Sequence, residues 1–392
     1  MIKKGIIIFL FLLLCMHTYA NDKNTPLTKF GFQVLNGGTI IIKAQLDTIA
    51  DTLNFILDTG CGGISLDSAT AEEYHIPSIK TNINVIGIAG TRQLSFAYNH
   101  TLSLNGFKID NLQFHLNDYD ILTAANGMKI DGVIGYSFFK RFIVSINYDE
   151  SIISVYDTAN FQYPAKGYYL YPLINPLPHQ EVIMSDAKTI TNNLIFDTGA
   201  GLFSLLNNKC VKESGLLNKK RKKYSIQAEG IGGKKQAELT VINKIKLGRF
   251  SFRNVPLYLM DDDNNVTGYP TGCGLIGNEI LRRFNVIFNY PQGSIYLKPN
   301  SHYYDLFDYS YTGLSVYTID NKVTVTEIMP NSPGEKAGFM PEDIIVTIDN
   351  VLINNVQQCK TLFQNTDKTL MVWVLREDTT KLLKLEIKNI QD

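Results

Sequence analysis

Asn54-Phe55-Ile56-Leu57-Asp58-Thr59-Gly60 and Asn193-Leu194-Ile195-Phe196-Asp197-Thr198-Gly199 are two versions of one phrase, an apolar run that ends on Asp-Thr-Gly, and they lie 139 residues apart. Each run has the length and composition of a buried strand, and Asp and Gly are the turn formers that end it. A chain that twice carries a carboxyl group to the end of a strand has the material for a pair. Two carboxyls held a few ångströms apart share one proton, which leaves one group to accept a proton and the other to give one.

The surroundings repeat as well. About 75 residues after each motif stand Gly132-Val133-Ile134-Gly135 and Gly274-Leu275-Ile276-Gly277. From there the halves run in parallel at an offset of 142, matching Arg141 with Arg283, Phe142 with Phe284, Val144 with Val286, Asn147 with Asn289 and Tyr148 with Tyr290. Each half also places a glycine turn between strand formers: Val85-Ile86-Gly87-Ile88-Ala89-Gly90, and Ala228-Glu229-Gly230-Ile231-Gly232-Gly233. A period this long marks a duplicated domain and not a solenoid.

On these residues, from roughly 30 to 300, the chain resembles the retropepsin-like and pepsin-like aspartic proteases. The resemblance implies a mainly β fold, with duplicated acid-protease β-barrel halves forming a bilobal protease. It implies that Asp58 and Asp197 are the catalytic pair, supported by Thr59, Gly60, Thr198 and Gly199. Gly87, Ile88, Ala89 and Gly90, with Gly230, Ile231, Gly232 and Gly233, match the flap tips that cover a substrate. The reaction implied is peptide-bond hydrolysis by an activated water, without a covalent intermediate, a cofactor or a metal. Both halves lie on one chain, so a monomer is expected to suffice. Where the family can carry a serine after each motif, this chain has Cys61, a weak donor, and Ala200, which has none. A mildly acidic to neutral working range follows, with Asp58 as the expected ionised partner. The alternative, from another class, is a catalytically inactive protease-like protein that binds peptides or serves as a scaffold.

Beyond about Tyr311 the repeat does not recur. Gly313-Leu314-Ser315-Val316, Val323 to Gly338 and Pro341 to Asp349 together resemble a bacterial-type PDZ domain. In that family the loop at Gly313, Leu314, Ser315 and Val316 holds a peptide's terminal carboxylate, and the peptide adds as a strand. Ser315 and Glu342 stand where the family often has glycine. The expected organisation is a signal peptide at 1–20, protease half one at 30–157, a Pro- and Tyr-rich linker at 158–180, half two at 181–300 and the PDZ domain at 311–392. Since the halves contain the whole aspartate pair, removing the tail is expected to spare cleavage of short peptides.

At 392 residues the chain exceeds one core, and 45% hydrophobic with 19% charged residues describes an ordered globular protein. Lys3 and Lys4, the apolar Ile6 to Met16 and the small Ala20 read as an export signal, too short to span a bilayer. Leu14 is bulky for lipidation at Cys15, and the expected location is periplasmic or secreted, with membrane association left open. Without that segment 35 basic residues face 37 acidic ones, so no nucleic-acid partner is expected. The partners expected are a peptide or protein substrate and a C-terminal peptide on the PDZ domain. Of Cys61, Cys210, Cys273 and Cys359, the pairs Cys61–Cys273 and Cys210–Cys273 are both open as bridges. The histidines are scattered, Asp261-Asp262-Asp263 reads as a solvated loop, and no metal motif is present. Gly230 to Gly233 lacks the Lys-Ser/Thr ending of a phosphate loop. Lys219-Lys220-Arg221-Lys222-Lys223 reads as a solvated loop before the second flap.

Overall fold

A computed structural model describes residues 24–87, 90–159, 161–230, 233–262, 267 and 272–391. The signal-like segment 1–20, the flap residues Ile88, Ala89, Ile231 and Gly232, and Asp263 lie outside these.

Each repeat closes a six-stranded barrel. In half one the order is Ile40–Leu46, Leu53–Leu57, Gly132–Ile134, Ile64–Asp67, Phe107–Asn117, Gly90–Leu104 and back to Ile40–Leu46. In half two Pro178–Ser185, Thr189–Phe196, Gly272–Ile276, Ser204–Asn207, Phe250–Met260 and Gly233–Leu247 close in the same order. Closure pairs every barrel strand on both sides and leaves no open edge.

The glycine-flanked pairs owe their composition to this closure. Gly132–Ile134 is wedged between a parallel neighbour, Leu53–Leu57, and an antiparallel one, Ile64–Asp67. A Cβ on Gly132 would strike the carbonyl oxygen of Ser65, and one on Gly274 that of Leu205. Backbones this close admit only glycine.

A short helix follows the strand after each motif. Ser68–Glu73 is capped by Asp67, whose Oδ2 accepts from Thr70 N at 3.0 Å, and Asn208–Ser214 by Asn207, whose Oδ1 accepts from Lys209 N at 2.8 Å. Both are tied to the residue before the crossing glycine, by different chemistry. Thr70 Oγ1 donates to Asp131 Oδ1 at 2.8 Å in half one, while Cys210 is disulfide-bonded to Cys273 in half two. This settles the bridge: Cys61 remains a free, buried thiol.

The halves join through a six-stranded central sheet in the order Thr28–Val34, Ile152–Tyr156, Ile143–Asn147, Phe284–Asn289, Ser294–Pro299 and Tyr168–Leu170. Its middle pair has a symmetric register, Val144 opposite Phe288 and Ile146 opposite Val286. The duplicated segments therefore meet about a local twofold. One apolar core runs through both barrels and this sheet. Arg283 is buried, donates to Asp305 O at 2.5 Å and Glu279 O at 3.1 Å, and lies 4.3 Å from the Phe307 ring centroid. The repeated arginine thus pins the segment 302–307, which leads into the tail. Its counterpart Arg141 donates to Asp110 O at the surface.

The tail has its own core, including Val316, Val325, Ile348 and Val372, beneath the strands Leu314–Ile319, Lys322–Ile328, Ile344–Ile348, Thr369–Arg376 and Thr379–Glu386. It is not a separate appendage. Tyr311 and Ile390 pack with Leu239 and Val241 of half two, and Gln357 accepts from Asn36 N of half one at 2.7 Å. The expectation that the tail is dispensable for short peptides meets a domain wedged against both halves.

Candidate active site

Asp58 and Asp197 end the strands Leu53–Leu57 and Thr189–Phe196, as the apolar runs require. Each backbone N–H is fixed by the crossing strand: Asp58 N donates to Ile134 O and Asp197 N to Ile276 O, both at 2.9 Å. The threonines clasp the two loops reciprocally. Thr59 N donates to Thr198 Oγ1 and Thr198 N to Thr59 Oγ1, each at 3.0 Å. Their hydroxyls then donate across the interface, Thr59 to Phe196 O at 2.6 Å and Thr198 to Leu57 O at 2.8 Å. Four buried hydrogen bonds thereby set the spacing of the two carboxyls with side chains that carry no charge.

The motif glycines make room for the partner's acid. A Cβ on Gly60 would overlap the Asp197 carboxylate, and one on Gly199 the Asp58 carboxylate. The two carboxyls hydrogen-bond one another. Both keep part of their surface open, while packed protein on the remaining sides strips away solvent.

Burial and the neighbouring charge of Asp197 hold Asp58 well above the ordinary carboxylate range, and their mutual hydrogen bond adds to this. Burial raises Asp197 too, but the bond from Asp58 and two backbone donors oppose it. Asp197 Oδ1 accepts from both Gly199 N and Ala200 N at 2.9 Å, and Asp58 Oδ1 accepts from Gly60 N at 2.6 Å, with the Cys61 N–H as a second backbone donor that opposes the rise of Asp58. Both carboxyls are thus lifted by burial, as suits a pair that shares one proton. Cys61 is buried beside Asp58, and burial pushes its thiol up to about 12, so it stays protonated and serves as packing.

The flap glycines fall at the ends of paired strands. Gly87 is paired with Gly90 at the end of Ile79–Gly87 and Gly90–Leu104, and Gly230 with Gly233 at the end of Tyr224–Gly230 and Gly233–Leu247. Ile226 and Ala228 of the second hairpin pack against the same apolar cluster, including Ile195 and Leu275, as Ala200 and Leu202 from the loop after Asp197. Glu229 accepts from the Tyr317 hydroxyl of the tail at 2.7 Å, and Tyr311 OH donates to Ser225 O at 2.8 Å, so this hairpin lies strapped to the PDZ domain. The basic run leading into it is only partly solvated: Arg221 is ion-paired with Asp186, and Lys223 with Glu238 at 2.7 Å. Asp262 Oδ2 accepts from Thr267 N at 2.6 Å, which gives that acid a structural part in its loop.

Two tyrosines near the pair were not singled out from sequence. Tyr119 is buried, packs with Cys61 and shares a 2.6 Å hydrogen bond with Ser65 Oγ. Nothing in the sequence marks it, because position 261 of the other half is an aspartate. Tyr290 is buried with its hydroxyl unpartnered among the described residues, and burial plus the charges of both aspartates push its phenol well above its usual range. Its signal was present, as the repeated Asn-Tyr that served only to establish the duplication. The loop Gly313, Leu314, Ser315 and Val316 lies in the tail, apart from the pair, at the start of the edge strand Leu314–Ile319.

Comparison with protein families matches residues 42–138 and 183–280 to the family described as Aspartyl protease and residues 310–387 to the PDZ domain. Comparison with curated proteins finds no match. With the paired barrels, the reciprocal threonine clasp and these matches together, the chain carries two domains of the aspartyl protease family followed by a PDZ domain.

Proposed function

We propose that the protein is an exported aspartic endopeptidase in which Asp58 and Asp197 act as one acid–base unit. The observation that carries this is the pair itself, two touching carboxyls held by the threonine clasp and both raised by burial, Asp58 the further; in this reading the proton rests on Asp58 and the charge on Asp197, the reverse of what the side-chain donors suggested. Ionised Asp197 removes a proton from a water, whose oxygen adds to the peptide carbonyl carbon. Asp58 gives its proton to the carbonyl oxygen, so no charge accumulates on that oxygen and the product is a neutral gem-diol. The proton gained by Asp197 then passes to the leaving nitrogen as the C–N bond breaks, and Asp58 recovers a proton from the diol. The threonine clasp keeps the carboxyls in place through these transfers without adding charge.

Export rests on the basic, apolar and small-residue order of residues 1–20. The test is incubation of the chain lacking these residues with a proteome-derived peptide library across pH 3–8, read by mass spectrometry. Internal cleavage that survives chelators and thiol alkylation supports the reading. Cleavage abolished by either reagent, or absent throughout, overturns it.

A further inference from the structure

The PDZ strand Leu314–Ile319 pairs on one side only, with Lys322–Ile328, and the helix Val356–Phe363 lies beside its open edge. That edge is where a peptide would add as a further strand. The space between strand and helix is not empty. The helix Asp120–Asn126 of half one packs against the strand and ends there at Gly127, whose φ is 70°. A Cβ on Gly127 would stand 2.7 Å from Val356 Cγ1 and 3.0 Å from Thr318 Oγ1, so the corner fills the gap between the two PDZ elements.

The corner is held by polar contacts as well as by shape. Lys360 Nζ donates to Ala125 O at 2.7 Å and Gln357 Nε2 to Asn126 O at 3.0 Å. These carbonyls belong to the last turn of a helix, where no N–H follows to satisfy them and the helix dipole is negative. A cation and an amide from the PDZ helix thus receive acceptors of half one. The opposite end of the groove differs. There Leu314, Ser315 and Gln364 line a cavity of about 1230 Å³ that is shared with Glu229 and Tyr258 and runs along the groove as far as Gln357 and Lys360, where the corner bounds it.

We propose that the Ala125–Gly127 corner is an internal ligand of the PDZ groove, which a peptide carboxyl end must displace in order to add to the Leu314–Ile319 strand. The carboxylate end of the groove is open for the last residues of such a peptide, and the corner occupies the path of those before them. The displaced segment leads directly to the catalytic loop. Tyr119 N, just before the helix, donates to Asp67 Oδ1 at 3.0 Å, and Tyr119 and Ile130, on either side of the corner, pack with Cys61. Occupation of the PDZ groove is therefore read out behind Asp58.

The test does not depend on hydrolysis and is made in full-length Asp58→Asn protein, so that a failure here is distinct from a failure of the proteolytic reading. The probe is a pool of fluorescent decapeptides with randomised last three residues and free carboxylates, with the amidated pool as control. Gly127→Cys with Val356→Cys locks the corner, since the new Cβ would stand 3.7 Å from Val356 Cβ, within disulfide range. The oxidised protein is expected to lose binding at least tenfold relative to its reduced form. Gly127→Val, which forces the corner out, is expected to bind at least tenfold more tightly than the unsubstituted protein. Should either cysteine fail to pair, hydrogen exchange at residues 123–127 supplies the second reading, with faster exchange expected once peptide is bound. Equal binding by locked and reduced protein, no gain in Gly127→Val, no binding by any form, equal binding of the amidated pool, or unchanged exchange on binding would each overturn the proposal.

Discussion

Asp58 and Asp197 are chemically the same residue in the same motif, and what the fold adds to each, burial first and then the partner carboxyl and backbone donors, is not displayed by a sequence. Folded Asp58 holds its proton more tightly than the unfolded chain does, so keeping it ionised opposes folding. That cost is absent below the ordinary carboxylate value of 3.8 and grows as the pH rises through the elevated folded value. Asp58→Asn, which is neutral at every pH, should therefore melt a few degrees above wild type at pH 7 and level with it at pH 3, as read by calorimetry. A variant that melts lower at pH 7 would contradict the assignment of the proton. The same logic gives the pH–rate profile. Ala200→Ser adds a donor beside the charge on Asp197 and should move the acid limb to lower pH. Cys61→Ser adds a stronger donor beside Asp58, stabilises its ionised form and should lower the alkaline limb. The pair itself was legible, because Asp-Thr-Gly occurs twice with its context. How burial and the backbone load the two carboxyls was not, because Gly60 N, Gly199 N and Ala200 N exist in any sequence and matter only through where the turn points them.

Among the elements, the crossing strands bear the tightest constraint. Gly274→Ala drives a methyl into the Leu205 carbonyl and should cost about 3 kcal/mol or more, seen as lost soluble yield or a lowered urea midpoint. Gly106→Ala makes the contrast: φ is 82° but no atom lies within 4 Å, so only about 1–2 kcal/mol of backbone strain is expected. The helix ties provide a second test. Cys210–Cys273 closes 63 residues of half two, and its reduction should cost about 2–4 kcal/mol, whereas half one, tied by Thr70 and Asp131, should be unaffected. The sequence was readable where the halves agree, at the motifs, the crossing glycines and the central-sheet segments. It was opaque where one tie is a hydrogen bond and its counterpart a disulfide, since no residue type is shared and Cys61–Cys273 looked equally open.

At the scale of the whole molecule, the PDZ domain is packed against both barrels of the aspartyl protease domains. Its Tyr311 and Tyr317 fasten the second flap hairpin, while its helix Val356–Phe363 grips Asn36 and the Ala125–Gly127 corner of half one. A chain ending before Ser310 should accordingly fold with the aspartate pair intact but bind short peptides at least fivefold more weakly, through KM and with both pH limbs unmoved. Unchanged KM would mean that these contacts do not position the flap. The tail was recognisable as a PDZ domain, but its docking depends on side chains such as Gln357 and Tyr317 that carry no motif. The central claim, that two aspartates work as one catalytic unit across two barrels, is tested most directly by kcat/KM for wild type, Asp58→Asn, Asp197→Asn and the double variant on a single cleaved peptide. Each single substitution should lower it at least about 100-fold, and the double should fall no further than the singles, because either loss already breaks the unit. A single variant that keeps more than about a tenth of wild-type activity, or losses that multiply in the double, would contradict it.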